Sequence, residues 1–161
     1  MKKIWVLSLL LITSFSAQSQ TKSETEKWLA EKLYAFGDAI PEDFTQYRID
    51  VNKIEVLDCK ILVSMYCFGS NSTFIETIPI EASFTHDVRN LPDGYVFKGK
   101  ILNKGTYGVK GSNGLFTGQK REFNSERSSS YFILYATNDM LERIQKALEH
   151  YRKLCGVNEP F

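Results

Sequence analysis

Three cysteines, two histidines and a run of glycines are the residues of this 161-residue chain whose types invite chemistry. Cys59 and Cys67 share an odd-numbered apolar run with Leu57, Ile61, Val63 and Met65. On one continuous strand they stand about 27 Å apart at roughly 3.3 Å per residue. A disulfide needs Cα atoms within about 7 Å, and Lys60 to Tyr66 holds no Gly or Pro to turn the chain back. Cys155 ends an apolar helical stripe. Two readings follow: three buried, inert thiols, or a bridge from Cys155 to Cys59 or to Cys67. A cysteine nucleophile fits poorly, since apolar surroundings raise a thiol's pKa.

His86 precedes Asp87, so a carboxylate stands ready to orient an imidazole. No Gly-x-Ser-x-Gly elbow accompanies it. His150 lies beside Tyr151 on the last helix, and with Cys155 alone it falls short of the four ligands of a zinc site. No cofactor or metal is expected. Asp38, Glu42, Asp43, Asp50, Glu55 and Asp58 read as scattered solvated charge rather than a catalytic pair. Gly105, Gly108, Gly111, Gly114 and Gly118 mark a twisted hairpin, with Asn113-Gly114 as its turn. No Gly-Lys-Ser/Thr follows to cradle a phosphate. The aromatic residues around that stretch, Tyr95, Phe97, Tyr107, Phe116 and Phe123, form the candidate binding surface; core packing is the alternative for each.

The elements that must position these residues begin after a leader. Lys2 and Lys3 precede a mainly apolar run from Ile4 to Phe15, and Ser14, Ser16, Ala17 and Ser19 supply small residues for cleavage. Residues 1–20 therefore read as a signal peptide and 21–161 as a single domain. The run is too short to span a bilayer, and no later stretch is long enough. No cysteine precedes Cys59, so a lipoprotein anchor is not expected. Export to the periplasm or the exterior is expected. The full chain carries 20 basic and 19 acidic residues; without Lys2 and Lys3 the balance is 18 against 19, or −1. That balance gives no electrostatic case for nucleic acid. Hydrophobic residues at 43% and charged residues at 24% suit an ordinary core, and 13% aromatic suits a sheet.

Thr21 to Phe36 reads as a helix with a Ser23/Glu26 capping box, a stripe of Trp28, Leu29, Leu33 and Phe36, and Gly37 as a left-handed stop. Asp38 to Thr45 reads as a loop. Tyr47 to Cys67 alternates with period two. The phase breaks at Asp50 to Lys53 and slips again between Val56 and Leu57, where a bulge in one bent strand is expected. Thr73 to Ile80 is a strand with Pro79 at an edge or an end. Residues 81–90 read as loop or a short helix on Ile80, Phe84, Val88 and Leu91, followed by a turn at Leu91-Pro92-Asp93-Gly94. Tyr95 to Leu102, Leu115 to Phe123 and Tyr131 to Ala136 are strands, with serine-rich Asn124 to Ser130 as a loop. A last helix to about Cys155 carries Met140, Leu141, Ile144, Ala147, Leu148, Tyr151 and Leu154 on one face, Glu142–Lys146 and Glu149–Lys153 pairs, and Gly156 as its stop.

Strands without alternating helices make an antiparallel sheet. The expected fold is α+β: a strongly bent antiparallel sheet or partly open barrel of six or seven strands, with an N-terminal helix and a C-terminal amphipathic helix. The strand Tyr131-Phe132-Ile133-Leu134-Tyr135, the helix Leu141 to His150 and the Leu154-Cys155-Gly156 ending resemble those of small exported bacterial domains of pleckstrin-homology-like type. The resemblance implies a binding or scaffolding domain without catalytic residues; the basic phosphoinositide loop of some relatives is not evident. The expected occupant is an unknown protein or a small apolar ligand. A pocket protein would enclose a cavity lined by Met65, Phe74 and similar residues. A hydrolase would place His86 near a carboxylate and a Ser or Cys in a cleft.

Overall fold

The structure is a computed structural model that describes residues 21–40, 48–87 and 94–157. The leader, Pro41, Glu42, Asp43, Tyr47, Val88 and the Leu91-Pro92-Asp93 part of the expected turn lie outside the described residues. The fold is α+β. Helix α1 (Lys22–Phe36) leads into β1 (Gly37–Ala39), β2 (Ile49–Leu57), β3 (Lys60–Cys67), β4 (Ser72–Pro79), β5 (Ser83–His86), β6 (Tyr95–Lys110) and β7 (Phe116–Leu134), and helix α2 (Asn138–Leu154) closes the chain. Every pairing is antiparallel. The order is β1-β7-β6-β4-β3-β2, with β5 added to β6. The end strands β1 and β2 touch, so the sheet is nearly closed, barrel-like with one open seam.

The helix caps explain how each end is fixed. Thr21, not Ser23, caps α1: its side chain accepts from the Glu24 N–H, and the Glu24 carboxylate accepts from the Thr21 N–H. That choice leaves Glu26 for another partner, the Tyr151 hydroxyl at 2.6 Å. Gly37 does not stop the helix in the left-handed region. It is extended (φ −91°, ψ 150°) and opens β1, because Phe132 and the Leu33 carbonyl leave no room for a Cβ there. At the end of α2, Gly156 takes φ +73°, and Val157 N–H returns to Arg152 O, as in a Schellman stop. The stripes bury Leu29 and Leu33 from α1 and Leu141, Ile144, Leu148 and Tyr151 from α2. Arg152 ties α2 to the turn after β4 through Ile80 O (2.8 Å) and Ala82 O (2.6 Å). Burial and the Glu26 carboxylate push the Tyr151 hydroxyl well above its ordinary pKa, so it stays protonated and donates.

Four strand expectations change. The slip at Val56/Leu57 is not a bulge. It is a two-residue hairpin in which Asp58 (φ 49°) and Cys59 (φ 60°) both take positive φ between the paired Leu57 and Lys60. The bulge lies at the earlier break, between Val51 and Lys53. Residues 83–86 form β5 rather than loop or helix, pairing with 95–98 of β6. Asn124 to Ser130 is not a loop but the middle of β7, exposed or half-buried on both faces up to Ser129 and buried from Ser130. Asp38 and Ala39 belong to β1, paired with Ile133 and Phe132, rather than to a loop. Pro79 ends β4, an interior strand, so it marks an end and not an edge.

Gly105 allows β4 and β6 to close up. Its Cα partner is Phe74, and a Cβ there would fall 2.2 Å from Thr73 O and 2.5 Å from Phe74 Cβ. The obstacle is backbone, so it cannot swing aside. Gly105→Ala is expected to cost about 1–3 kcal/mol of stability by overpacking. Urea titration would measure it; an unchanged midpoint would mean that the strands separate freely there.

Candidate functional site

The seam opens on a cleft of about 590 Å³ inside the sheet. Residues from five strands line it: Ile49 from β2, Cys67 from β3, Phe74 from β4, Asn103 from β6, and Phe123 and Tyr131 from β7. The register explains the convergence. Phe74 and Glu76 are inward residues of β4, paired with Gly105 and Asn103 of β6, which pair in turn with Phe123 and Ser125 of β7. The aromatic wall is one connected group. Phe74 lies 6.1 Å from Phe123 and 5.7 Å from Tyr131, centroid to centroid.

The polar groups sit among these rings. Arg127 reaches along the same face, its Nη1 donating to the Tyr131 hydroxyl at 2.7 Å and its guanidinium 4.0 Å from that ring's centroid. Ser70 and Ser72 hydroxyls bond each other at the rim. Glu76 is fully buried beneath. Its two carboxyl oxygens accept the N–H groups of Tyr131 (2.8 Å) and Phe132 (3.1 Å). Those donors lie where the β6–β7 register shifts between Val96 and Lys98, so Glu76 supplies acceptors at a gap in the ladder. Burial pushes its pKa up from 4.5 to about 7, against the two N–H groups and Arg127, which pull it down. Asn103 is 1% exposed, and neither Oδ1 nor Nδ2 has a hydrogen-bond partner.

The five aromatic residues marked in the sequence do not form one surface. Phe123 lines the cleft, and Tyr107 stands 6.4 Å from it. Phe97 is buried in the core against Phe84 and Phe132. Tyr95 packs on Phe84 and His86 at the far half of β6. Phe116 lies at the base of the hairpin turn, over Gly108 and below Lys110. Met65 is core, not cleft wall. His86 is exposed on β5 with its ring on Tyr95, outside the cleft. His150 lies by Trp28, Arg143 and Lys146 in a shallow surface hollow.

Cys59 and Cys155 are joined by a disulfide with Cα atoms 5.8 Å apart, and Cys67 is the free thiol. The hairpin turn, absent from the expected single strand, carries Cys59 to the end of α2, where its N–H also donates to the Tyr151 hydroxyl. Among the described residues no group of three His, Cys, Asp or Glu side chains is placed to hold a metal ion. No described helix is long and apolar enough to cross a membrane.

Sequence reasoning passed over Glu76, Asn103 and Arg127, though a signal for the first was present. In Phe74-Ile75-Glu76-Thr77-Ile78 the inward face reads apolar, acidic, apolar. A carboxyl in the middle of a core face calls for a buried partner. No family model, curated protein or solved structure matches the chain.

Proposed function

We propose that the chain is an exported, non-enzymatic binding domain that holds a small molecule in the seam cleft. The observation that carries this reading is the cleft itself. Its volume lies within the roughly 300–1,000 Å³ of small-molecule sites, and aromatic walls around a few polar groups are the usual lining. Export rests on the leader pattern of residues 1–20 and is supported by the Cys59–Cys155 bond, since disulfides persist in oxidising compartments. The hydrolase alternative would need His86 in the cleft beside a nucleophile, and its place on β5 gives that reading no support. Kinship with pleckstrin-homology-like domains rests on the bent sheet closed by α2.

The test uses N-phenyl-1-naphthylamine, a neutral dye that brightens in apolar sites. Saturable binding of one dye per chain is expected. Ser125→Trp, on an exposed residue of the cleft wall, should abolish it. The bound dye should also slow iodoacetamide alkylation of Cys67, the free thiol of the wall. Absence of saturable binding, or binding unchanged in Ser125→Trp, would refute the reading. A second reading, protein docking through the hairpin tip, is favoured by the adjacent exposed apolar residues Leu115 and Phe116. Dye binding lost in Leu115→Ser but kept in Ser125→Trp would select it.

A further inference from the structure

Asn103 lines the cleft and carries a donor and an acceptor side by side, both buried and both unused by the protein. An unmade bond at a buried polar atom costs roughly 1–3 kcal/mol. An apolar residue at this inward position would avoid that cost, as Ile101 and Phe74 do nearby. Resting on the reading of the cleft as a small-molecule site, we infer that it recognises a neutral amide, lactam or imide carried on a flat apolar body, held by a paired hydrogen bond to Asn103.

The chemistry follows from complementarity. A side-chain amide is satisfied at both atoms by a group that presents N–H and C=O together. A carboxylate accepts from Nδ2 and leaves Oδ1 facing another acceptor. An ammonium donates to Oδ1 and leaves Nδ2 facing another donor. The two charged side chains of the cleft lining already have partners, and a neutral occupant leaves them undisturbed. Arg127 is bonded to the Tyr131 hydroxyl and lies on its ring, and Glu126 pairs with Lys100 at 3.1 Å. Phe74, Phe123 and Tyr131 supply the apolar contact for a ring. Sites that hydrogen-bond a ligand reject analogues lacking the matching groups more sharply than apolar walls reject by size.

Three probes of one shape separate the cases: benzamide, benzoate and benzylamine, each competing against N-phenyl-1-naphthylamine. Benzamide should compete at least about tenfold better than either charged analogue. In Asn103→Leu the three probes should compete equally, each measured against that variant's own dye affinity. This variant deletes the orphaned polar atoms at similar volume, so it should fold as well as the parent. Benzamide titrated alone should shift the Asn103 side-chain NH2 resonances in ¹⁵N spectra, which decides the inference without the dye. Equal competition by the three, preference for benzoate, or a benzamide preference that survives in Asn103→Leu would overturn it, leaving Asn103 to water. Dye binding that persists through those outcomes leaves the small-molecule reading standing. Dye binding unaffected by Ser125→Trp removes that reading instead.

Discussion

Replacing Cys59 and Cys155 together with serine is expected to lower the unfolding free energy by about 2–5 kcal/mol. The bond joins residues 96 apart, and loop closure over about 100 residues corresponds to roughly 4.7 kcal/mol in the chain-entropy account. The native side adds to this. Cys59 occupies a positive-φ position where Gly or Asn is at ease and a thiol side chain is not. The disulfide, the Tyr151 hydroxyl on its N–H and the Leu57–Lys60 pair together hold it there. Loss of the bond therefore loosens both the β2–β3 turn and the end of α2. Urea titration with and without dithiothreitol measures the effect. Cys67→Ser is the control and should change little, since that half-buried thiol is not part of the bond. Equal stability of the oxidised and reduced chains would show that the helix ending holds itself.

The same turn shows where the sequence was legible and where it was not. Periodicity found α1 and α2, because one face of each helix is buried and nothing else competes for it. It found β4 for the same reason, and it found the strand character of β2 and β3 while joining them into one strand. It failed at Leu57 to Lys60 because Asp-Cys carries no turn signature. The conformation is held by groups nearly 100 residues away. It failed at Asn124 to Ser130 because a stretch exposed or half-buried on both faces up to Ser129 shows no alternation to read. Residues 83–86 misled because Phe84 fits helical spacing with Ile80, yet its ring packs on Phe97 and Tyr95 across the β5–β6 pair. The cleft was less legible than the fold. Phe74 and Phe123 were within reach, since aromatic residues on strands suggest a wall or a core. Asn103, Glu76 and Arg127 come from three strands with no shared motif, and only the register makes them neighbours.

Glu76 should make the fold more stable in mild acid than above neutrality. Its carboxyl has a pKa of about 7 when folded and the ordinary 4.5 when unfolded, because burial penalises the charge more than the Tyr131 and Phe132 N–H groups reward it. Between those values the folded chain binds the extra proton. The contribution is thus fully present below about pH 4.5 and is lost as pH rises through about 7. Across pH 5 to 8 the loss is about 2–3 kcal/mol at 1.36 kcal/mol per pKa unit. Unfolding free energies by urea at pH 5, 6, 7 and 8 should fall in the parent and stay flatter in Glu76→Gln. Gln offers one carbonyl oxygen to two backbone donors, so that variant should also lose about 1–3 kcal/mol at pH 5. Glu76→Leu leaves both donors without an acceptor and should cost more, about 2–5 kcal/mol. The comparison is the difference in slope between parent and variant, which isolates the Glu76 contribution from every other group. Parallel curves for the two would show that the Glu76 carboxyl is ionised throughout and that its two backbone hydrogen bonds outweigh its burial.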